Sequence, residues 1–263
     1  MIDLAKAAHQ IRRIALSAGK VILDIYGGTI ESRLKDDQSP VTEADEKAEA
    51  LIIAGLAEHF PAIPVVAEES VAAGRIPDIS GGTFWLVDPL DGTREFISRN
   101  GEFTVNIALI ADGKPVLGVV YAPARGRLYT GTPEGASLSL VGADGVAGAA
   151  RPIHCRKPGA DGLVVVASRS HRDSKTNDYL AAIRVRELVA AGSSLKFCLV
   201  AEGRADLYPR LGRTMEWDIA AGHAVLAAAG GTVTTLEGAL MVYGKAPVFD
   251  NPFFVAAPCQ NSA

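Results

Sequence analysis

Hydrophobic spacing divides the first part of the chain into two helices separated by a polar segment. Over residues 2–26, apolar side chains recur every three or four positions, and a pair of glycines follows. This period predicts an amphipathic helix that ends at the glycines. Residues 29–41 are polar and lack such a period, which favours a loop that could be mobile. Thr42 and Asp45 have the spacing of a capping box, so a second helix is predicted from there to about residue 59.

Short apolar runs in the middle of the chain are typical of strands. The run at residues 64–67 is followed by two adjacent glutamates, and the run at residues 84–87 is followed by two aspartates three positions apart. An Asp-Gly pair between two later runs indicates a tight hairpin turn. The strands predicted to form one antiparallel sheet around that hairpin span residues 103–110, 115–121, 126–130 and 136–141.

Beyond about residue 155 the predicted strands and helices alternate, which is typical of an α/β arrangement. The 263 residues are enough for one large core or for two closely packed subdomains. We therefore predict a mixed α/β fold that forms one structural unit. Its N-terminal α+β subdomain is predicted to span residues 1–155, and its C-terminal α/β subdomain residues 156–263.

Composition and charge narrow the class of protein. Hydrophobic residues make up 48% of the chain and charged residues 21%, which is ordinary for a soluble globular protein. The net charge of −4 argues against general nucleic-acid binding, so a polyanionic substrate would need metal ions or a local basic pocket. No secretory segment and no apolar run of about 18 residues is visible, so no integral membrane segment is expected. Three widely spaced cysteines indicate reduced thiols in a cytoplasmic protein, with Cys198 in the core.

Two aspartates at the end of a predicted strand mark the candidate chemistry. Asp88 and Asp91 can supply carboxylates, and the Leu90 carbonyl lies between them, which suits the oxygen ligands that Mg²⁺ prefers. Gly92 lets the backbone approach a ligand closely, and Thr93 begins a predicted helix whose free N–H groups favour a phosphate. The alternative is a plain Asp-Gly turn with Asp91 as a cap.

Three further acidic points lie far apart in the sequence. They are Asp45, the adjacent pair Glu68 and Glu69, and Asp218. Glu68 and Glu69 follow a strand, whose end can splay both carboxylates toward one site, although a solvated pair at the start of a loop is the alternative. Carboxylates from distant segments could meet only if the fold brings them together, so four acidic clusters together favour a metal site.

These motifs, in this order, resemble the inositol monophosphatase superfamily, whose members are magnesium-dependent, lithium-sensitive phosphatases. The resemblance covers nearly the whole chain and rests on residues 65–70, 85–93 and 217–222. Within the superfamily, the chain most resembles the bacterial 3′(2′),5′-bisphosphate nucleotidases. That closer resemblance rests on residues 93–96, 167–171, 192–198 and 215–217.

The resemblance implies an α-β-α-β-α sandwich and direct attack of water on phosphorus without a phospho-enzyme. Thr93 would hydrogen-bond the attacking water, with Asp45 tightening that hydroxyl, and the Gly92 and Thr93 N–H groups would hold the phosphate. Two or three Mg²⁺ ions per site are implied. The implied metal ligands are Glu68, Asp88, the Leu90 carbonyl, Asp91 and Asp218, with Glu69 holding a third, weaker ion through water.

The implied substrate is adenosine 3′,5′-bisphosphate, with its sulfated form as a further candidate, in support of sulfur assimilation. Where inositol phosphatases have an acidic residue that contacts the sugar, this chain has Arg210, which suggests a second anionic group on the substrate. Ser193 and Lys196, three positions apart, are expected to share one helix face. The predicted substrate contacts are Gly92, Thr93, Arg169, His171, Ser193, Lys196, Arg210 and Asp218.

Several alternatives stay open at this stage. The same scaffold could serve an inositol-1-phosphate, fructose-1,6-bisphosphate or histidinol-phosphate phosphatase, because fold and metal site do not separate these activities. A catalytically silent metal or nucleotide sensor is the alternative from another class. The sequence is compatible with a monomer or a homodimer, and with peripheral association at the inner membrane.

Overall fold

In the computed structural model, which describes residues 2–35, 39–168 and 174–259, the first part of the chain builds a large sheet with helices on it. Apolar periodicity and turn residues set the element boundaries there, much as the sequence predicts. The elements in chain order are α1 (Leu4–Tyr26), β1 (Ser32–Leu34), β2 (Pro40–Thr42), α2 (Glu43–His59), β3 (Val65–Ala67), α3 (Glu68–Ala72), β4 (Thr83–Asp91), α4 (Thr93–Ile97), β5 (Thr104–Ala111), β6 (Lys114–Ala122), β7 (Arg127–Thr132), β8 (Gly135–Leu140) and β9 (Arg151–Ile153).

The second part of the chain alternates strands and helices, as expected. Its elements are β10 (Leu163–Ser168), α5 (Ser174–Ala181), β11 (Val185–Ala191), α6 (Leu195–Ala201), β12 (Tyr208–Arg210), α7 (Glu216–Ala228), β13 (Gly231–Thr235) and β14 (Phe254–Pro258).

Seven strands pair in sequence order, from β3 to β9, to form the central sheet. β3 runs parallel to β4, and each later neighbour is antiparallel. The predicted hairpin between β5 and β6 is confirmed: Asp112 and Gly113 both have positive φ, as a tight primed turn requires. β9, which the sequence did not predict, adds the last strand at the sheet edge.

Both faces of the sheet are buried, which explains the continuous apolar run in β4. Phe84 and Leu86 point into one core, and Trp85 and Val87 point into the other. α1 and α2 cover the second of these faces, packing on β6 and β4 respectively. The predicted capping box is confirmed at the start of α2, where Thr42 is the N-cap.

α6 and α7 lie between the central sheet and the C-terminal strands. α7 packs on β5, β6 and β7, while α6 contacts α7 on one side and β10, β12 and β14 on the other. The approach of α7 is so close that a Cβ on Gly131 would lie 2.5 Å from the Ala224 carbonyl oxygen. β10 and β11 pair in parallel, and β12, β14 and β13 form a small antiparallel sheet. This layering of helices and sheets confirms the predicted fold class.

Besides β9, the structure departs from the sequence prediction in three segments. Residues 29–41 are not wholly a loop, because β1 and β2 pair there as an antiparallel ribbon, while residues 36–38 lie outside the described range. β4 does not end at Val87 but continues to Asp91. α5 was not predicted, since its sequence carries little apolar periodicity.

Cysteine placement agrees with the prediction of reduced thiols. The three cysteines are free, and Cys198 is fully buried, with a pKa raised well above the usual range by that burial. A thiol in this state is a core residue rather than a nucleophile. Within the described residues, no helix is both long and apolar enough to cross a bilayer.

Acid should destabilise the fold through a buried histidine on α7. His223 is buried with its Nδ1 2.9 Å from the Tyr243 hydroxyl, and burial lowers its pKa to about 4. The unfolded chain takes up this proton near the ordinary pKa of about 6.5, so the folded state should lose stability progressively as pH falls from there to about 4.

We expect the urea midpoint to fall less between pH 7 and pH 4.5 in a His223→Phe variant than in the wild type, because phenylalanine cannot be protonated. Comparing the slopes of the two proteins removes the acid effects that both share. Identical pH slopes would mean that His223 contributes nothing to acid sensitivity.

Candidate active site

The end of β4 turns two aspartates toward one cavity. Pro89 has no N–H to donate, and the pairing of β4 with β5 is irregular between Asp88 and Asp91. Asp88 is buried, and its Oδ1 accepts a hydrogen bond from the Leu90 N–H at 3.0 Å. The proline and the local hydrogen bond together hold the Asp88 carboxylate at the irregular end of the strand.

Asp91 is held by groups from two other elements. Its Oδ2 accepts a hydrogen bond from the Ser194 N–H at 2.7 Å and a longer one from Asn106 Nδ2 at 3.3 Å. The Ser194 hydroxyl in turn donates to the Asp218 carbonyl at 2.6 Å and accepts from Asn106 Nδ2 at 3.0 Å. Ser194 thereby joins Asp91, in the first half of the chain, to the backbone of Asp218 in the second.

Thr93 lies beside Asp45, as the sequence analysis requires. Gly92 precedes it with a φ of 94°, a left-handed conformation that glycine adopts without strain and that begins α4. Thr93 Oγ1 lies 3.1 Å from Asp45 Oδ1 and 3.4 Å from the Leu90 carbonyl, while Asp45 Oδ2 accepts from both the N–H and the hydroxyl of Thr42. Burial raises the Asp45 pKa to about 6, although these hydrogen bonds favour the charged form.

Glu68 and Glu69, at the start of α3, share a lysine. Lys35 Nζ lies 2.7 Å from Glu68 Oε1 and 2.6 Å from Glu69 Oε1. Burial opposes the charge on Lys35, but the two carboxylates more than offset that effect and raise its pKa. Burial and the charge of Glu68 raise the Glu69 pKa to about 7 despite Lys35. Both carboxylates therefore contact the same lysine at the strand end, and they do not form the solvated pair of the alternative.

Asp218 occupies the first turn of α7, where its Oδ2 accepts a hydrogen bond from the Met215 N–H at 2.7 Å. Burial, followed by the charges of Glu68 and Asp91, raises the pKa values of both Asp88 and Asp218 well above the usual range. Carboxylates from three distant segments thus add to the raised pKa values of Asp88 and Asp218, which is the electrostatic setting that a bound cation relieves.

The chemistry of this donor set fits a hard divalent cation such as Mg²⁺. The donors are carboxylate and carbonyl oxygens, with neither thiol nor imidazole in the set. As they stand, no three of the described acidic, cysteine or histidine side chains form a closed metal-binding group. Binding of an ion would therefore require the carboxylates to move closer together.

Basic and hydroxyl groups lie across the cavity, on the C-terminal half. Lys196 is buried, and its Nζ lies 5.4 Å from the Tyr208 ring centroid. Burial lowers the pKa of Lys196 to about 8, while the charge of Asp91 opposes that shift. Among the described residues, neither the buried Ser193 Oγ nor the buried Arg210 Nε has a hydrogen-bond partner. Buried polar groups are normally satisfied, so both are suited to an external ligand.

The two halves enclose a cavity of about 280 Å³. It brings together most of the residues that the sequence analysis selected, while Arg169 and His171 lie outside the described residues. Asp45 does not line the cavity but contacts Thr93, which does, whereas Glu69 and its partner Lys35 line a second cavity that shares Glu68 with this one. The predicted residues that line the cavity are Glu68, Asp88, Leu90, Asp91, Gly92, Thr93, Ser193, Lys196, Arg210 and Asp218.

The prediction about Ser193 and Lys196 at the start of α6 was wrong. Ser193 and Lys196 do not share a helix face, because Ser193 precedes α6 with a φ of 47° and Lys196 Nζ instead bonds the Ser193 carbonyl at 2.6 Å. Ser194 holds the N-cap position but makes no side-chain cap, since its hydroxyl is used by the Asp218 carbonyl. At Ser194, a tertiary partner has thus replaced the local one.

Sequence reasoning missed three buried polar residues that hold this site together: Glu49, Asn106 and Ser194. Glu49 lies one helical turn after Asp45, a spacing that could have been noticed. Asn106 is a lone amide in an apolar strand, which is a weaker signal. Ser194 offered none that distinguished it from Ser193.

The chain resembles known proteins over nearly its whole length. The model of the inositol monophosphatase family matches residues 3–257. The 3′(2′),5′-bisphosphate nucleotidase CysQ of Salmonella typhimurium is 46% identical over 248 residues, which cover 94% of this chain and 97% of that protein. CysQ of Escherichia coli K12 is 46% identical over 247 residues, covering 93% and 97% respectively.

Solved structures give the same result. CysQ from Bacteroides thetaiotaomicron superposes with a TM-score of 0.81 at 40% identity and covers 97% of this chain and 98% of its own. The inositol monophosphatase of Anabaena superposes with a TM-score of 0.75 at 25% identity, covering 97% and 92%. On the family match, the relatives and the shared fold, this chain belongs to the inositol monophosphatase family.

Proposed function

We propose that this protein is a Mg²⁺-dependent 3′(2′),5′-bisphosphate nucleotidase. It would hydrolyse the 3′-phosphate of adenosine 3′,5′-bisphosphate, or of its sulfated form, to give AMP, or the corresponding sulfated nucleotide, and phosphate. The observation that carries this proposal is that Ser193 and Arg210, each with a buried polar atom that has no hydrogen-bond partner among the described residues, line the same cavity as the carboxylate cluster. The 46% identity to CysQ supports it.

The carboxylate cluster is the proposed metal site, for two or three Mg²⁺ ions. When bound, the ions would neutralise charge on the phosphate and lower the pKa of water. Burial and mutual repulsion among the carboxylates support this assignment, because an uncompensated buried charge is costly. The proposed ligands are Glu68, Asp88, the Leu90 carbonyl, Asp91 and Asp218, with Glu69 as a weaker one.

Thr93 and Asp45 are proposed to orient the attacking water. If the Thr93 hydroxyl donates its proton to Asp45 Oδ1, its oxygen keeps lone pairs that can accept a hydrogen bond from water. Thr42 holds the other carboxylate oxygen of Asp45, so the acceptor cannot easily rotate away. The Gly92 and Thr93 N–H groups are proposed to hold the phosphate.

The second phosphate of the substrate is proposed to bind on the opposite wall. Arg210 lines the cavity, and the guanidinium can grip a phosphate with two parallel hydrogen bonds. Lys196 and Ser193 add a charge and a hydroxyl nearby. Neutral sugar hydroxyls would leave these donors poorly used, which favours a bisphosphate over an inositol substrate.

We further propose that residues 1–155 and 156–263 act as two closely packed subdomains, with the substrate between them. The first contributes most of the proposed metal ligands, and the second contributes Asp218 and the proposed contacts to the second phosphate. The hydrogen bond from the Ser194 N–H to Asp91 crosses this boundary.

The substrate is tested by comparing kcat/KM at saturating Mg²⁺ for adenosine 3′,5′-bisphosphate, its sulfated form, inositol-1-phosphate and fructose-1,6-bisphosphate. The two nucleotides should give the highest values, because only they place a second anion beside an adenosine. A highest value for inositol-1-phosphate or fructose-1,6-bisphosphate would overturn the assignment in favour of that sugar phosphatase.

Lithium should inhibit at low millimolar concentration when Mg²⁺ is subsaturating. Li⁺ is close to Mg²⁺ in size but has half its charge, so it can occupy a carboxylate site without stabilising a leaving oxygen equally well. The measurement is initial rate against LiCl concentration, with NaCl at equal ionic strength as the control. A rate indifferent to Li⁺ would contradict the proposed metal site.

A further inference from the structure

Glu49 is a buried carboxylate that faces the candidate site from behind. It is 4% exposed, and both of its oxygens are used. Oε2 accepts a hydrogen bond from the Glu69 N–H at 2.7 Å, and Oε1 accepts one from the Ser70 hydroxyl at 2.7 Å. Arg75 lies on the far side of that hydroxyl, with its guanidinium 3.3 Å from Ser70 Oγ. A buried charge with two short hydrogen bonds holds its partners firmly.

The segment that Glu49 holds has little support of its own. α3 is only five residues long, and its N-cap, Ala67, makes no side-chain cap. Pairing of β3 with β4 fixes the backbone as far as Ala67, opposite Val87. Beyond that point, Glu49 supplies from α2 the cap that alanine cannot supply, because the first N–H groups of a helix have no partner within it.

α2 therefore presents two buried carboxylates, Asp45 and Glu49, one turn apart on the same face. Asp45 holds the Thr93 hydroxyl, and Glu49 holds the backbone that carries Glu68 and Glu69. The capping box that begins α2 uses only Asp45 and Thr42, so α2 does not need the hydrogen bonds of Glu49. The second buried acid is thus unexplained by the stability of α2.

We propose that Glu49 is a positioning residue for metal binding: by anchoring the start of α3, it sets where Glu68 and Glu69 present their carboxylates. This inference rests on the proposed function, in which those two glutamates are metal ligands. Outer groups that orient metal ligands typically change metal affinity by about 10- to 100-fold when removed. Glu49→Gln keeps the size of the side chain. Its amide NH₂ group would, however, face either the Glu69 N–H or the Ser70 hydroxyl, both of which donate to Glu49.

The test measures Mn²⁺ binding by electron paramagnetic resonance, together with the Mg²⁺ concentration that gives half-maximal activity. In Glu49→Gln, both constants should rise by about 10- to 100-fold, whereas kcat at saturating Mg²⁺ should stay close to wild type. Ser70→Ala removes one of the two anchors without changing charge and should move the constants in the same direction, by less. It also decides the question if Glu49→Gln does not fold.

Glu46→Gln is the matched control, because it removes an equal charge from the same helix. Glu46 is exposed and pairs with Arg33 at the surface, where an ion pair is worth little. If Glu46→Gln and Glu49→Gln weaken binding equally while Ser70→Ala does not, only net charge matters and the positioning role is overturned. Wild-type affinity in Glu49→Gln would overturn it as well. If the wild-type protein binds Mn²⁺ no better than the Asp88→Asn variant, the proposed metal site itself is contradicted.

Discussion

Asp88→Asn should lower kcat/KM by at least about 100-fold while leaving the fold intact. Removing a group that only orients a metal ligand costs up to about 100-fold, and removing the ligand itself should cost no less. Asp88 is 2% exposed, and burial and the charges of its acidic neighbours raise its pKa. Asparagine is nearly the same size but neutral, so it removes a repulsive charge from the metal-free protein. Its melting temperature without metal should therefore equal or exceed that of the wild type.

The predicted result is specific because the variant should lose activity without losing stability in the absence of metal. The measurements are phosphate release at increasing Mg²⁺ and thermal unfolding in the presence of a chelator. Asp24→Asn, on the exposed side of α1, removes the same charge and should change neither quantity. Near-normal turnover of Asp88→Asn at saturating Mg²⁺ would mean that Asp88 is not a metal ligand.

Arg210→Ala should raise the KM for adenosine 3′,5′-bisphosphate strongly. A hydrogen bond to a charged group contributes about 1.5–3 kcal/mol, which corresponds to about a ten- to a hundredfold change. In the structure one terminal nitrogen of Arg210 donates to the Arg213 carbonyl at 3.0 Å, and the buried Nε has no hydrogen-bond partner among the described residues. The geometry therefore supports a grip on an anion, with the guanidinium already oriented.

The substrate itself provides the main control for this prediction. 3′-AMP lacks the second phosphate, so its KM should be nearly the same in the wild type and in Arg210→Ala. Arg186→Ala removes an arginine from the same half of the chain, where it pairs with Asp161 at the surface, and should affect neither substrate. An equal loss on both substrates would show that Arg210 supports the fold or the metal site instead of specificity.

Elements with a strong local signal were predicted well. α1 and α2 follow from apolar periodicity and a capping box, and the strands from β3 to β8 follow from short apolar runs separated by turn residues. Each of these signals depends on neighbours within a few positions, where backbone geometry and side-chain period are coupled. β1 was missed because its three exposed residues carry no apolar alternation, and β2 because three residues are too few to show a period.

For the candidate site, the sequence alone identified the acidic residues and their order, because they stand in short motifs. It did not indicate that Lys35 pairs with Glu68 and Glu69, nor that Lys196 turns back onto the Ser193 carbonyl. Local spacing suggested a shared helix face for Ser193 and Lys196, and the positive φ of Ser193 prevented it.

Only the tertiary structure decided which groups hold the acidic residues in place. The hydrogen bond from the Ser194 N–H to Asp91 spans 103 positions, and that from Glu69 to Glu49 spans 20. No local period encodes such pairs, since they form only when α2 and α6 have packed in place and β4 has paired within the central sheet. Burial in that packed state is also what raises the pKa values of the carboxylates and leaves Arg210 and Ser193 with unsatisfied polar groups. Composition and motifs thus determine which chemical groups this protein has, whereas close packing determines which of them meet and in what electrostatic environment.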